Sequence, residues 1–344
     1  MKKNVNDDLK NIKKILVVQT AFIGDVILVT PLLRALNDLF PNSQIDIMVT
    51  PQTSNILNNN PNINSIIIFD KKKNKLKASL KVLRQLKLIK YDIVFTPHSS
   101  ITTAILIFLA GIPIRVGFDR WSARWLLTHK VKHLANVHKI KKILNLLSPF
   151  TDREYSMQTE LFPTKEMIEN ALSIVGDLKL NSKKLIALAP GSNWFTKRWP
   201  KEYYKQLAEK LNKLNFGLIF IGSKDEENLC EEIKPDEKSI NLAGKLSLLE
   251  SAAVVELCDI MICNDSGALH IADAVKTDVI SFFGPTVKSI GYFPYRENDK
   301  VLEVELDCRP CSSHGTNKCP LEHHNCMKMI EPDFVVQEVI KRFS

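Results

Sequence analysis

The chain has 344 residues, of which 45% are hydrophobic and 25% charged, and a formal net charge of +9. This composition excludes a mainly disordered, collagen-like or coiled-coil protein, and the length favours two domains over one hydrophobic core. The positive charge suggests an anionic partner such as a phosphorylated ligand, nucleic acid or a membrane surface.

Cysteine usage and the N-terminal segment both predict a cytoplasmic protein. The seven cysteines are an odd number, and the first of them is Cys230, which is not the pattern of a secreted disulfide scaffold. The basic N-terminus has an interrupted apolar stretch and no small-residue cleavage site, so no signal peptide is predicted. The uncharged stretch 93–114 contains Pro97, Gly111 and Pro113, which favours a strand, a loop and a buried helix over a membrane span.

In the first half of the chain, short apolar runs alternate with helical patterns, which predicts repeated βα units and a parallel sheet. The predicted elements are strands at 14–19, 44–49, 65–69 and 91–95, with helices at 25–40 and 73–89. The lysine-rich run 71–77 is interpreted as a solvated helix start.

The same pattern restarts near Lys184, about half the chain later. It predicts strands at 184–189, 216–221, 259–263 and 278–283, and helices at 200–212, from 225, at 248–257, 268–274 and 332–343. We therefore predict an α/β protein of two Rossmann-like domains, residues 1–175 and 176–331, facing each other across a cleft.

The first candidate loop, Thr20 to Asp25, follows the first strand, where open α/β sheets bind ligands. Gly24 allows a tight turn, and Asp25 opens the next helix. Asp25 has two interpretations that the pattern leaves open: a helix N-cap, or a carboxylate that acts as a general base. The loop lacks the GxGxxG pattern of dinucleotide-binding proteins.

The second candidate loop, residues 190–200, follows the first strand of the second half and includes Ser192. Lys197 and Arg198 precede a predicted helix N-terminus, so cationic side chains and free backbone N–H groups would converge there. This combination is typical of an anion site, although surface charge beside core tryptophans is the alternative.

Two further loops follow strands of the second half. Asp265, Ser266 and Gly267 are small or acidic residues before a helix, which suits a diphosphate bound by backbone N–H groups. His270 would point along that helix, either toward the ligand or into the core. Glu226, or its neighbour Asp225, could accept hydrogen bonds from ribose hydroxyls.

A Cys- and His-rich segment follows Asp307. Cys308, Cys311, Cys319 and Cys326 have the spacing C-x2-C-x7-C-x6-C, with histidines between them. This spacing is compatible with a structural zinc site, with reduced thiols or with a local disulfide.

Several of these motifs together resemble glycosyltransferase family 9, the bacterial heptosyltransferases that build the lipopolysaccharide inner core. They are Phe22–Asp25 with Pro31–Leu36, Lys197–Pro200, and Asn264–Gly267 with His270. The late cysteines, with Pro320 and His323–Cys326, are similar to the heptosyltransferase II branch. The resemblance implies a GT-B fold and an inverting transfer of heptose from ADP-L-glycero-β-D-manno-heptose that needs no metal or other cofactor.

The resemblance also assigns roles by motif. Asp25 matches the catalytic base, and Lys197 matches the diphosphate-binding lysine. Glu226 matches the ribose carboxylate, with Asp225 as its rival, and Asp265, Ser266 and Gly267 match the diphosphate loop. Ser192 is counted with the donor-binding residues.

For the acceptor, the resemblance implies a Kdo-containing lipid A at the inner face of the cytoplasmic membrane. Peripheral membrane contact and no nucleic-acid partner follow from that expectation. Gly24, Arg120 and Arg124 are the predicted acceptor-binding residues. The terminal helix, 332–344, is expected to cross back onto the first domain.

Two other functions remain open at this point. A GT-B-like sugar-nucleotide epimerase would need additional carboxylates acting on the sugar ring, and none can be identified. A non-catalytic protein that binds a sugar nucleotide or a metal would have no need of the Asp25 carboxylate.

Overall fold

The computed structural model describes residues 11–71, 74–98, 100–119 and 123–344. The chain divides into two compact units, residues 1–162 and 163–344. In each unit, apolar strands form a parallel sheet because their connecting helices cover its faces.

The described residues of the first unit form six strands and five α-helices. Its strands are β1 (Lys14–Val18), β2 (Gln44–Val49), β3 (Ser65–Ile68), β4 (Ile93–Thr96), β5 (Ile114–Phe118) and β6 (His129–Val131). Its helices are α1 (Ile23–Ile27), α2 (Thr30–Leu39), α3 (Lys75–Ile89), α4 (Ile101–Leu109) and α5 (Lys139–Leu144). The strand order is β3-β2-β1-β4-β5-β6, with all neighbours parallel.

The second unit also has six strands. They are β7 (Leu185–Ala189), β8 (Gly217–Phe220), β9 (Ile240–Asn241), β10 (Ile260–Asn264), β11 (Asp278–Phe282) and β12 (Lys300–Leu302). Its helices are α6 (Lys165–Asn181), α7 (Lys201–Lys213), α8 (Glu227–Ile233), α9 (Leu248–Glu256), α10 (Gly267–Ala274), α11 (Asn325–Lys328) and α12 (Pro332–Arg342).

The second sheet repeats the topology of the first. Its order is β12-β11-β10-β7-β8-β9, so each unit places its first and fourth strands side by side at the centre. The strand order therefore reverses between β1 and β4 and between β7 and β10, which is where doubly wound sheets bind ligands. The prediction of two Rossmann-like α/β domains is confirmed.

One predicted helix, 25–40, is two helices in the structure. Pro31 lacks an N–H, and its ring would clash with the carbonyl of Ile27 in a continuous helix. The chain instead ends α1 at Ile27 and restarts at Thr30, whose hydroxyl donates a 2.8 Å hydrogen bond to the Ile27 carbonyl.

The domain boundary lies before α6, not within it as predicted. Ala171 and Val175 of this helix are buried in the core of the second sheet, so the whole helix belongs to the second unit. The boundary predicted after residue 175 cut through this helix, and the structure corrects it to residue 162.

The expected packing of the terminal helix on the first domain is also wrong. The apolar face of α12, with Val335 and Val339, is buried in the same core cluster as Leu207 and Leu211 of α7. This helix completes the second unit because its valines cover the sheet beside α7.

Candidate active site

A buried amide joins the loops that follow β7 and β10. Asn264, the last residue of β10, donates from Nδ2 to the carbonyls of Pro190 (2.8 Å) and Gly191 (3.2 Å). Its Oδ1 accepts a 2.9 Å hydrogen bond from the backbone N–H of Trp199. Because Asn264 has no exposed surface, these bonds fix the two loops to one another at the carboxyl ends of the central strands.

Lys197 and Asp265 form an ion pair between these same loops. The Lys197 Nζ lies 2.6 Å from Asp265 Oδ2, and Thr286 donates a 2.6 Å hydrogen bond to the same oxygen. Both charged side chains are mostly buried, at 13% and 7% exposed. The contact with Asp265 holds the Lys197 side chain in one direction within these loops without a ligand.

The pair stands beside the start of α10. Ser266 precedes this helix, and its side chain makes no capping hydrogen bond in the structure. The first backbone N–H groups of α10 are therefore not capped by Ser266 and, with the helix dipole, favour an anion there. The structure brings Lys197, Asp265, Ser266 and Gly267 together as predicted from sequence.

Glu226 lies against the loop after β7. Its Oε2 accepts a 2.7 Å hydrogen bond from the backbone N–H of Ser223, and a Cβ atom on Gly191 would overlap its carboxylate. Gly191 is therefore needed for the close approach of the Glu226 side chain. The rival Asp225 is exposed, so the geometry favours Glu226 as the carboxylate that faces these loops.

Ser192 is buried in the same loop, and its carbonyl accepts a 2.8 Å hydrogen bond from Arg198 Nε. Arg198 therefore contributes to the shape of the loop. His270 is buried on α10, with its ring 6.3 Å from that of Tyr292, so it belongs to the core side of this helix.

The Cys- and His-rich segment makes hydrogen bonds to the short 3-10 turn Phe195–Lys197, which includes Lys197. The backbone N–H of Thr196 donates to the carbonyl of Thr316 (3.1 Å), and its hydroxyl accepts from the backbone N–H of Thr316 (2.8 Å). The buried His324 donates from Nε2 to the carbonyl of Thr196 at 2.9 Å, and its ring stacks on Phe195. Burial lowers the pKa of His324, which favours the neutral ring.

Arg309 supports the other member of the ion pair. Its nearly buried guanidinium donates 2.9 Å hydrogen bonds to the carbonyls of Phe283 and Thr286 and pairs with Glu303. Because Thr286 in turn bonds Asp265, the segment from 307 to 327 supports both Lys197 and Asp265. No sequence pattern indicates these connections, because irregular segments have no periodicity from which their contacts could be inferred.

The seven cysteines, all within the described ranges, are free thiols. Among residues 11–71, 74–98, 100–119 and 123–344, no three His, Cys, Asp or Glu side chains form a group that could hold a metal ion. Cys308, Cys311, Cys319 and Cys326 are thus reduced thiols in this structure, and the zinc interpretation of their spacing stays a prediction. Burial raises the pKa of the Cys326 thiol to about 11, as expected for a thiol that packs in the core.

In the first unit, Asp25 lies in the first turn of α1. The N-cap residue is Phe22, and no side chain caps this end of the helix. The N-cap interpretation of Asp25 is therefore wrong, because the helix begins two residues earlier than the sequence predicted. Gly24 is buried inside the same turn.

Ionisable side chains from neighbouring strands surround this end of β1. Lys71, after β3, donates a 2.7 Å hydrogen bond to the hydroxyl of Thr20. His98, after β4, interacts electrostatically with Asp25, Lys71 and Lys139. Burial lowers the pKa of His98, while the Asp25 carboxylate partly opposes this change. The sequence reasoning missed Lys71 and His98, although each directly follows a predicted strand.

The structure describes one of the two predicted acceptor arginines. Arg120 lies outside the described residues. Arg124 is exposed and donates a 3.3 Å hydrogen bond to the carbonyl of Asp119. Arg115 donates from Nε to the carbonyl of Leu126 at 2.6 Å, so its guanidinium stabilises the local chain.

Known proteins resemble the chain over nearly its whole length. The family model for glycosyltransferase family 9 (heptosyltransferase) matches residues 79–321. The lipooligosaccharide heptosyltransferase 2 of Campylobacter jejuni (serotype O:6) is 29% identical, over 95% of this chain and 98% of the relative. The lipopolysaccharide heptosyltransferase 2 of Escherichia coli K12 is 26% identical, over 79% and 83%.

Solved structures agree with these relatives. The glycosyltransferase family 9 protein of Veillonella parvula superposes with a TM-score of 0.83 at 25% identity, covering 97% of each chain. The ADP-heptose LPS heptosyltransferase II of E. coli gives a TM-score of 0.79 at 22% identity, covering 95% of this chain and 98% of that chain. With the family model matching most of the sequence, the chain belongs to glycosyltransferase family 9, the heptosyltransferases.

Proposed function

We propose that this protein transfers heptose from ADP-L-glycero-β-D-manno-heptose to the Kdo/heptose inner core of lipopolysaccharide, with inversion at the anomeric carbon. The observation that carries the proposal is the Lys197–Asp265 pair at the N-terminus of α10, in a chain that belongs to the heptosyltransferase family. Membership of this family also favours glycosyl transfer over an epimerase or a non-catalytic binding protein.

The second unit binds the donor in this proposal. The Lys197 ammonium has three donors, so it can bond a phosphate oxygen while it retains its contact with Asp265. The N-terminal N–H groups of α10 bind the same diphosphate. As ADP departs, negative charge grows on its β-phosphate, and these positive groups stabilise it. Glu226 accepts hydrogen bonds from the ribose hydroxyls, and Ser192 belongs to the same donor-binding loop.

The first unit supplies the base. In an inverting transfer, the acceptor hydroxyl attacks the anomeric carbon from the face opposite ADP, and one carboxylate suffices to take its proton. Asp25 has this role, with Gly24 beside it. Since burial lowers the pKa of His98, this ring is mainly neutral near pH 7 and leaves the Asp25 carboxylate without a full positive charge from His98.

The acceptor is attached to lipid A, so the reaction takes place at the inner face of the cytoplasmic membrane. Within the described part of the chain, no helix has both the length and the apolarity to cross a bilayer. We propose peripheral contact instead, to which the net charge of +9 contributes by attraction to anionic lipid and to the phosphates of the acceptor. Arg124, which is exposed, remains our candidate for acceptor contact.

The test is a transfer assay on the purified protein with detergent-dispersed acceptor. ADP-heptose is mixed with Kdo-lipid A or with heptosyl-Kdo-lipid A, and the product is analysed by mass spectrometry. We expect the mass of one heptose to be added to one of these acceptors, with release of ADP. ADP-glucose serves as the control donor. No heptosylated lipid from either acceptor would refute the proposal.

A further inference from the structure

Helices α3 and α4 pack side by side on the first unit. Val82 and Leu86 of α3 share a buried cluster with Leu106 and Ile107 of α4. These residues anchor both helices to the sheet, so the opposite sides of the helices lie on the surface of the unit. We call this surface the α3–α4 face.

The α3 part of the face is strongly basic and also apolar. Helix α3 contains five lysines and arginines and no acidic residue. Lys77, Leu80, Lys81, Arg84 and Leu88 line one surface groove of α3. Leu88 is 82% exposed and Leu76 is 72% exposed, although leucine is normally buried in a folded domain. Solvation of the helix alone does not explain why leucines occupy these exposed positions.

The α4 part of the face adds large apolar side chains without charge. Ile101, Ile105, Phe108 and Leu109 are all exposed, between 44% and 56%. The sequence predicted a buried helix here, and the structure buries only its inner side. An apolar patch of this kind beside basic residues marks an interaction site rather than ordinary surface.

We propose that the α3–α4 face binds an anionic lipid bilayer, with its leucines, isoleucines and phenylalanine in the acyl boundary and its cations at the headgroups. This inference rests on the proposed function, because a lipid-linked acceptor must be reached at a membrane. The charge complementarity is specific: lysines and an arginine flank the exposed leucines, and no carboxylate occurs in residues 71–90 to repel phosphate.

The mixture of groups favours lipid over other anionic partners. Side chains that insert into the headgroup region need an apolar face beside cations, which this surface has. Single-stranded nucleic acid requires exposed aromatic platforms for stacking, and Phe108 is the one aromatic residue within the described parts of α3 and α4. The basic side chains alone could bind either a lipid bilayer or a nucleic acid. The exposed leucines are therefore the feature that favours lipid.

The experiment measures binding of the full chain to vesicles by co-sedimentation. Vesicles of phosphatidylethanolamine with phosphatidylglycerol are compared with pure phosphatidylcholine. Wild type should bind the anionic vesicles and should be released by salt. Lys81→Ser with Arg84→Ser should lower the affinity about 30-fold, from roughly one kcal/mol per cation near an anionic surface. Leu80→Ser with Leu88→Ser should also lower it, without changing the salt dependence.

Matched variants in the second unit serve as controls. Leu180→Ser removes a leucine that is 86% exposed, and Lys205→Ser with Lys213→Ser removes two exposed cations of α7. These variants should bind as wild type does. Equal binding by the α3 variants and the controls would overturn the proposal. The proposal would also be overturned if the α3 variants lost self-association but still bound vesicles. The α3–α4 face would then bind a second copy of the chain.

A transfer assay separates this inference from the proposed function. With detergent-dispersed acceptor, the α3 variants should transfer heptose at the wild-type rate, and with acceptor in anionic vesicles they should be slower. Absence of transfer by wild type in detergent would refute the function alone. If the α3 variants transferred heptose at the wild-type rate to acceptor in anionic vesicles, only membrane binding by the α3–α4 face would be refuted.

Discussion

The two units have the same strand order, but the carboxyl ends of their sheets carry different chemistry. In the second unit, Asn264 and the Lys197–Asp265 pair connect the loops to each other. In the first unit, the corresponding loops carry Asp25, Lys71 and His98, and burial lowers the pKa of both the lysine and the histidine. One topology thus supports a buried ion pair that joins loops in one unit and a group of ionisable side chains in the other.

The comparison teaches that topology decides where loops meet and that loop residues decide what they do. The last residue of the fourth strand illustrates this. In the second unit it is Asn264, which joins the loops after β7 and β10, and in the first it is Thr96, which donates one 2.8 Å hydrogen bond to the Val116 carbonyl. Variants that exchange or remove these features should therefore have different effects in the two units.

The largest expected effect is that of Asp25→Asn. Phe22 is the N-cap of α1, so the amide should leave the helix intact while it removes the proton acceptor. We expect kcat to fall roughly 10²–10⁴-fold, the usual contribution of general base catalysis. Affinity for ADP, measured by calorimetry, should stay at the wild-type value. A variant that transfers heptose at nearly the wild-type rate would remove Asp25 from the mechanism.

Lys197→Ala should weaken ADP binding. One charge-assisted contact contributes about 1.5–3 kcal/mol, so the dissociation constant for ADP should rise roughly 10- to 150-fold. Lys201→Ala, which removes an exposed lysine paired with Glu232, is the matched control and should change neither affinity nor rate. If both variants bind ADP as wild type does, Lys197 does not contact the diphosphate.

Asn264→Ala should destabilise the second unit. The substitution leaves the Trp199 N–H and the Pro190 carbonyl without their buried partner, which costs about 1–3 kcal/mol of unfolding free energy. Thr96→Val in the first unit removes one bond and should cost about 0.5–1.5 kcal/mol. Urea denaturation of both variants measures the difference. Equal losses of unfolding free energy would contradict the view that the hydrogen bonds of Asn264 stabilise the second unit more than that of Thr96 stabilises the first.

The smallest expected effect concerns acid stability and His98. Its pKa is lower in the folded protein than in the unfolded chain, so its contribution is complete above about pH 6.5 and is lost as pH falls toward the folded value. His98→Gln should reduce the loss of stability below pH 6.5 by at most about 1.4 kcal/mol per pH unit. Chemical denaturation at several pH values tests this. An unchanged pH dependence would show that His98 is protonated equally in both states.

The sequence predicted eight of the twelve described strands, because buried parallel strands are continuous apolar runs and their loops must meet at one edge. It missed β5, β6, β9 and β12, which lie toward the edges of the two sheets. It located Asp25, Lys197, Asp265 and Glu226 correctly at the ends of strands. Pro31 is sufficient to predict the break between α1 and α2. The break was missed because the apolar periodicity on both sides of Pro31 favoured one continuous helix.

Other features had no local signal. The partners of Arg309 and His324 lie far away in the chain, and the irregular segment that carries them has no periodicity from which to infer packing. The assignment of α6 and α12 to the second unit likewise depends on which core their apolar faces meet. An amphipathic pattern predicts that a helix is half-buried and leaves its partner undetermined.

The attachment of the Lys197 turn to the end of the chain also affects when the protein matures during synthesis. Thr196 bonds Thr316, 120 residues later, and the indole of Trp199 bonds the carbonyl of Ile330, 131 residues later. Contacts of such separation form late, because the ribosome must first release nearly the whole polypeptide. A nascent chain therefore completes the Lys197 turn among the last steps of folding, so incomplete chains lack the finished donor site that we propose.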